Sequence, residues 1–242
     1  MKPQIKDLKL IRSLSQKKFR TETGLFIAEG KKLVEEAILS DWDIHSIYST
    51  DADFVATQRH SFQVTHREMN QVSALSTASP YLAVLKQKEQ RASIENEKNI
   101  LILDGISDPG NLGSIIRTAE WFGIHQIICS ENCVELYNPK VVQSTMGSVF
   151  RVAVSVQSIA LFIPELKKLN YRISGADIRG SNVFSYDFAT GRHAVVIGSE
   201  SHGIRDEVKA LLEDLITIPG RGGAESLNAS IAAAIIMAEM SK

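Results

Sequence analysis

The chain has 242 residues, 44% of them hydrophobic and 23% charged, with a net charge of −1 when the histidines are neutral. That composition describes a globular chain of one large or two smaller domains, and the near-zero charge argues against a protein that merely coats nucleic acid. No apolar run follows the first lysines and no stretch approaches the ~20 apolar residues of a membrane span, so no signal peptide or membrane anchor is expected and the cytoplasm is the default compartment.

Residues 4–20 carry Ile5, Leu8, Ile11 and Leu14 on one side and Lys6, Lys9, Lys17 and Arg20 near the other, which predicts an amphipathic helix. Residues 1–32 hold nine Lys or Arg against three acids. On charge alone, a phosphate-binding surface and a solvated helix face explain that excess equally well. A short strand at 25–28, a helix at 29–39, a strand at 44–48, a strand at 62–65, a helix at 67–73 and a strand at 81–85 complete a small α/β unit. Residues 86–98 are charged and nearly free of large apolar groups, as at a domain boundary, which divides the chain into domains at 1–90 and 99–242.

From residue 99 onward, short apolar runs at 99–103, 125–129, 151–156, 171–176, 194–198 and 215–218 alternate with helical patterns. This alternation predicts an α/β domain with a mainly parallel sheet and helices on both faces. Cys129 and Cys133 have no further ligand partners nearby and are expected as reduced core residues, without a metal.

In such sheets ligands bind beyond the carboxyl ends of the strands, so the loops there are the candidate site. The first runs from Asp104 through Pro109, Gly110 and Asn111 to Gly113. The helix behind it buries Leu112, Ile115, Ile116, Ala119 and Phe122, leaving Arg117 off the stripe and able to meet a ligand. Asn111 suits an N-cap. The second loop follows Gly198, where the missing side chain admits a flat ligand or another backbone. Glu200 there either orients a substrate group or caps the helix begun by Asp206 and Glu207, and His202 reads as a surface residue. The third loop, Ile218 to Asn228, opens a final helix expected to bury Leu227, Ile231, Ile235 and Ala238, with Ser226 as its natural N-cap and Asn228 two residues inside. The glycine spacing does not match a dinucleotide fingerprint, which argues against a nucleotide-dependent oxidoreductase.

Taken in order, DPGNLGSIIRTAEWFG, VIGSESHGI and IPGRGGAESLNASIAAAI resemble the signature motifs of the SpoU/TrmH family of RNA ribose methyltransferases within the SPOUT superfamily. STMGSVFRVAV resembles the family's segment between the first two motifs, and KKFRTETGLFIAEGKKLVEEAI resembles its N-terminal RNA substrate-binding domain. The resemblance implies a catalytic domain with a deep trefoil knot, S-adenosyl-L-methionine as cofactor, and a homodimer with the site at the subunit interface. It implies an RNA substrate, ribosomal ahead of transfer RNA, and neither a metal nor a membrane. Carried over by motif, Gly198, Ile218 and Leu227 contact the cofactor, and Asn111, Arg117, Glu200, Ser226 and Asn228 form the catalytic surface. Gly220 stands where the family commonly has Met, which makes the third loop more flexible, and Ala229 replaces a frequent Val. The alternative is an RNA-binding protein of the same fold without catalysis. A guanidinium with pKa above ~12 is a poor base, so Arg117 is expected to grip a phosphate and stabilise developing alkoxide charge.

Overall fold

The computed structural model describes residues 3–89 and 94–242, which form two compact units. The first unit contains α1 (Ile5–Ser13), α2 (Lys17–Thr23), β1 (Leu25–Glu29), α3 (Lys31–Leu39), β2 (Ile44–Ser49), α4 (Ala52–Thr57), β3 (Ser61–Gln63), α5 (His66–Val72) and β4 (Tyr81–Lys86). Its sheet has the order β1-β4-β2-β3, with β4 antiparallel to both neighbours and β2 parallel to β3. Ile11, Leu14, Ile27, Met69, Leu82 and Val84 pack together as its core.

Three sequence expectations change here. The helix expected over 4–20 is broken after Ser13. Ser13 and Ser15 turn their hydroxyls back onto the carbonyls of Leu10 and Arg12, a local bonding mode that competes with helix continuation. Glu29 does not open α3. It ends β1, buried, where its carboxylate accepts from Ser73 Oγ (2.6 Å), Ala74 N (3.0 Å) and Ser79 N (3.0 Å). Arg20 does not face solvent: it is 2% exposed and donates through Nε and Nη2 to Glu135 and through Nη1 to the carbonyl of Leu14. One charge of the basic N-terminal run is therefore structural.

The second unit opens with β5 (Asn99–Asp104), α6 (Pro109–Trp121) and β6 (Gln126–Cys129). The chain then contributes α7 (Pro139–Thr145) to the first unit, within a segment, Glu135–Phe150, that packs there. It returns as β7 (Ala153–Val156), α8 (Ile159–Lys168), β8 (Tyr171–Asn182), β9 (Arg192–Gly198), the single turn α9 (Asp206–Lys209), β10 (Asp214–Thr217) and α10 (Ala229–Met240). The strand order is β10-β8-β9-β5-β6-β7, and every pairing is parallel. Unbroken apolar runs such as Ile100–Leu103 and Ala194–Ile197 are buried because helices cover a parallel sheet on both faces. β8 outruns its expected end at 176 because β10 pairs with it twice, Leu215 opposite Gly175 and then Ile216 opposite Ser181. Of the charged stretch 86–98, residues 90–93 lie outside the described residues; beyond them, the carbonyls of Ile94 and Glu97 accept from Tyr171 and Arg192.

α10 corrects a further expectation. Its buried face is Ala229, Ala233, Ile236, Met237 and Met240, whereas Leu227 is 46% and Ile231 52% exposed. Of the expected stripe, only Ile231 is an exposed helix residue: Ile235 and Ala238 are half-buried and Leu227 precedes the helix.

Candidate active site

β5 lies between β6 and β9 in the sheet, so the loops leaving β5 and β9 are neighbours at one edge. Asp108, not Asn111, caps α6, its Oδ1 accepting from Asn111 N at 2.8 Å with Pro109 in the first turn. Proline has no N–H to leave unpaired there and its fixed φ suits the helix start. With its main-chain N–H engaged by the cap, Asn111 keeps its side-chain amide for other partners.

Those partners come from the other two loops. Asn111 Nδ2 donates to Glu200 Oε1, and Asn111 Oδ1 accepts from Asn228 Nδ2 at 3.0 Å. Asn228 is the N-cap of α10, and its Oδ1 accepts from Ser230 N at 2.9 Å. The direction of the chain is set chemically. An ionised carboxylate only accepts, so Asn111 must turn its NH2 to Glu200 and its oxygen to Asn228. Asn228 must then present its NH2, which leaves its oxygen to cap the helix. Glu200 thus does not cap α9, whose N-cap is Arg205, and Ser226 does not cap α10.

The second loop is closed on itself. Ser199 and Gly203 exchange both main-chain hydrogen bonds, at 3.1 and 2.8 Å. Gly198, at the end of β9, meets another backbone: a Cβ there would lie 2.2 Å from the carbonyl carbon of Gly203 and 2.3 Å from the nitrogen of Ile204. The loop's exit is fixed by Arg205, which donates from its main-chain N (2.9 Å) and Nε (2.7 Å) to the two oxygens of Asp104, the last residue of β5. His202 is exposed and, among the described residues, its Nδ1 meets only Ser201 Oγ, at 2.7 Å.

The third loop is open. Among the described residues, no main-chain group of residues 219–227 is hydrogen-bonded to another main-chain group. Ile218 is half-buried and Leu227 half-exposed at its two ends, and Ser226 is exposed without a hydrogen-bond partner among the described residues. Free peptide N–H and C=O groups between apolar side chains suit a ligand that is part flat ring and part polar, as S-adenosylmethionine is.

Arg117 is exposed and has no hydrogen-bond or ion-pair partner among the described residues. It lies six positions along the helix from Asn111, about 9 Å of rise and about 240° of rotation. One chain therefore assembles Asn111, Glu200 and Asn228 but leaves Arg117 on another side of α6.

The sequence reading missed Asp104, Arg205 and Ser130. Asp104 reads as a strand end and Arg205 as a loop cation, 101 positions apart. Ser130 Oγ accepts from Gly105 N at 2.9 Å and touches Cys133 Sγ at 3.5 Å, supporting the first loop from behind. Both cysteines are free. A hydrogen bond from the Cys129 thiol pulls Cys133 down to about 6, and donating that bond, together with burial, pushes Cys129 well up. Among the described residues no group of side chains is arranged to hold a metal, and no helix is long and apolar enough to cross a membrane.

A wholly parallel sheet with three loops meeting at its carboxyl edge, preceded by a small α/β unit, is the architecture of an α/β enzyme that binds its ligand beyond the strand ends. Residues 98–238 match the model of the SpoU rRNA methylase family, and residues 2–93 match that of the MRM3-like substrate-binding domain. The chain belongs to the SpoU rRNA methylase family. It is 29% identical over 241 residues, 97% of this chain and 94% of the other, to the 23S rRNA (guanosine(2553)-2′-O)-methyltransferase RlmP of Bacillus subtilis (strain 168). Among solved structures, a TrmH-family protein of Porphyromonas gingivalis is 30% identical with a TM-score of 0.90, covering 99% of this chain and 98% of that one. The AdoMet-bound rRNA methyltransferase from Sinorhizobium meliloti is 28% identical with a TM-score of 0.88, covering 99% and 96%. The protein is an S-adenosylmethionine-dependent RNA methyltransferase.

Proposed function

We propose that the protein methylates a ribose 2′-hydroxyl in ribosomal RNA, with residues 99–242 as the catalytic domain and residues 1–90 as the domain that holds the RNA. The observation that carries this reading is the chain of hydrogen bonds from Asn228 through Asn111 to Glu200, beside a third loop whose peptide groups are free. The B. subtilis relative, named as a 23S rRNA 2′-O-methyltransferase, supports ribosomal over transfer RNA.

S-adenosylmethionine supplies a methyl group on an already activated sulfonium centre. The protein's share is therefore alignment and management of the hydroxyl proton. Gly198 at the end of β9 and Ile218 and Leu227 at the two ends of the third loop hold the cofactor, together with main-chain groups of the third loop. Glu200 keeps Oε2 without a partner among the described residues, and this oxygen accepts a hydrogen bond from the substrate. Asn111, Ser226 and Asn228 position the ribose, and Arg117 grips the adjacent phosphate and stabilises charge developing on the 2′-oxygen.

The outer face of α10 supports a homodimer, because Ile231, exposed on it beside the active site, leaves apolar area for a second copy to cover. A second copy also offers a route by which Arg117 reaches a site its own chain turns it away from. The return of the chain from edge strand β10 to pack α10 on α6 supports the trefoil knot. A ribosomal RNA substrate supports a cytoplasmic location.

The test is methyl transfer from tritiated S-adenosylmethionine to ribosomal RNA taken from a strain lacking the gene. The expected result is label at one nucleotide whose 3′ linkage resists alkali. Label only in transfer RNA overturns the ribosomal assignment. Failure to bind the cofactor, with or without RNA, overturns catalysis and favours a protein that only binds RNA.

A further inference from the structure

We infer that Asp104 is a positioning residue for methyl transfer: its carboxylate ties Arg205 to the end of β5 and thereby holds the second loop where Glu200 meets Asn111. The inference rests on the proposed role of Glu200 and extends it to a residue pair beyond the motif positions.

Asp104 spans both ends of that loop. In the sheet it is the register partner of Gly198, the residue from which the loop departs, and through Arg205 N it holds the residue at which the loop ends. Between these points residues 199–203 are closed by two main-chain hydrogen bonds, and the chain at Gly203 and Ile204 lies directly against Gly198. The loop is thus closed on itself, and its exit is tied to β5 by the Asp104 carboxylate. The next residue, Gly105, is held by Ser130 and starts the loop that carries Asn111. One buried acid therefore sits at the root of both loops whose side chains meet.

Asp104 does not itself touch substrate. Its side chain is 0% exposed and Arg205 occupies both oxygens, Oδ1 through Nε and Oδ2 through the main-chain N–H. A carboxylate in that state is neither a base for the hydroxyl nor a ligand for the cofactor ribose. Arg205 is 37% exposed, and its Nη1 continues to Glu207 Oε1 at 2.8 Å. The guanidinium is held between two carboxylates, which fixes its plane and with it the exit of the loop. Asparagine at position 104 keeps one acceptor but turns an NH2 towards one of the two Arg205 donors, so the loop is released at one point without emptying the site.

The experiment measures kcat and KM for Asp104→Asn, Glu200→Gln and the double variant, with labelled cofactor and ribosomal RNA from a strain lacking the gene. Asp104→Asn is expected to lower kcat by about 10²-fold with little change in KM for RNA, because a misplaced group costs rate more than binding. In the Glu200→Gln background the same change is expected to cost less than about threefold, since residues acting through one another are not additive. Arg205→Lys keeps the main-chain N–H and the charge but loses the Nε contact; it repeats the cycle with a smaller loss and serves if Asp104→Asn does not fold. Hydrogen exchange gives a readout free of turnover: amides 199–205 are expected to exchange faster in Arg205→Lys while those of β5 and β9 hold. Losses that multiply in the double variant, or loop amides that stay protected, overturn the inference alone. A Glu200→Gln enzyme at the wild-type rate overturns the reading of the site, and this inference with it.

Discussion

The side-chain amide of Asn228 donates to that of Asn111 at 3.0 Å across 117 residues of sequence, and the same Asn228 caps α10 through its oxygen. The start of the last helix and the start of the helix after β5 are thereby coupled through two neutral amides whose polarity is dictated by Glu200. A residue with both a structural and a site-forming hydrogen bond allows the two roles to be separated by substitution.

Asn228→Asp keeps the capping oxygen and places a negative charge at a helix N-terminus, so thermal stability is expected to hold or rise slightly. The donor to Asn111 is lost and two acceptors then face each other. Turnover is expected to fall by about 10²-fold, the scale of a misplaced positioning group. Asn228→Ala should lose similar activity and, in addition, about 1 kcal/mol of stability from the missing cap. Thermal denaturation and initial rates on the same preparations separate the effects; an active Asp variant contradicts the role given to the Asn111 contact.

Arg117→Lys keeps the charge but not the planar fork that binds two phosphate oxygens at once. Its turnover is expected to drop by about 10²-fold or more, the usual cost of removing a donor to developing negative charge. Calorimetry should find S-adenosylmethionine binding unchanged, because Arg117 is placed on the RNA and not on the cofactor. A lysine enzyme with most of its activity would rule out bidentate grip as the source of the effect.

What the sequence revealed, and what it hid, follows from the range of the interactions. Strand-end reasoning located only the three loops, because strand ends in a parallel sheet converge by construction; Asn111, Glu200 and Asn228 were singled out within them by the motif resemblance. The cap of α6 was expected at Asn111 but is Asp108; the signal that could have found it is Pro109, which suits the first helical position directly after the cap. The helical spacing of Leu227 and Ile231 was visible, but periodicity says only that a stripe exists, not whether it faces the chain's own core. Arg20 looked like one more cation in a basic run, and Asp104 like the end of a strand. Their partners, Glu135 and Arg205, are 115 and 101 residues away, and no local pattern encodes such pairs.

Arg20 and Glu135 make a prediction about stability and not activity. Arg20 is 2% exposed and the Glu135 side chain 18% exposed, so removing the cation leaves a mostly buried carboxylate without its partner. Arg20→Met is expected to cost about 3–5 kcal/mol, the range for breaking a buried pair from one side. Replacing both residues, Arg20→Met with Glu135→Leu, should recover most of that loss. Urea unfolding of the two variants measures the difference. If Arg20 served RNA instead, the single variant would keep its urea midpoint and lose RNA affinity.

Ile231→Asp tests the outer face of α10. The residue is 52% exposed in the single chain, so the substitution should change the stability of the monomer by less than about 0.5 kcal/mol. If that face is covered by a second copy, a buried unpaired charge at the contact is costly, and light scattering after gel filtration should show a monomer in place of a dimer. The geometry of α6 adds a sharper expectation: Arg117 lies about 240° around the helix from Asn111, so in such a dimer it is expected to serve the partner's site. Mixing inactive Arg117→Ala with inactive Asn228→Ala should then restore activity. Each mixed dimer regains one complete site, so random exchange should yield roughly a quarter of the wild-type rate under two-fold symmetry. No recovery on mixing, with exchange verified by mass spectrometry, would place Arg117 in its own chain's site and require α6 to turn when RNA binds.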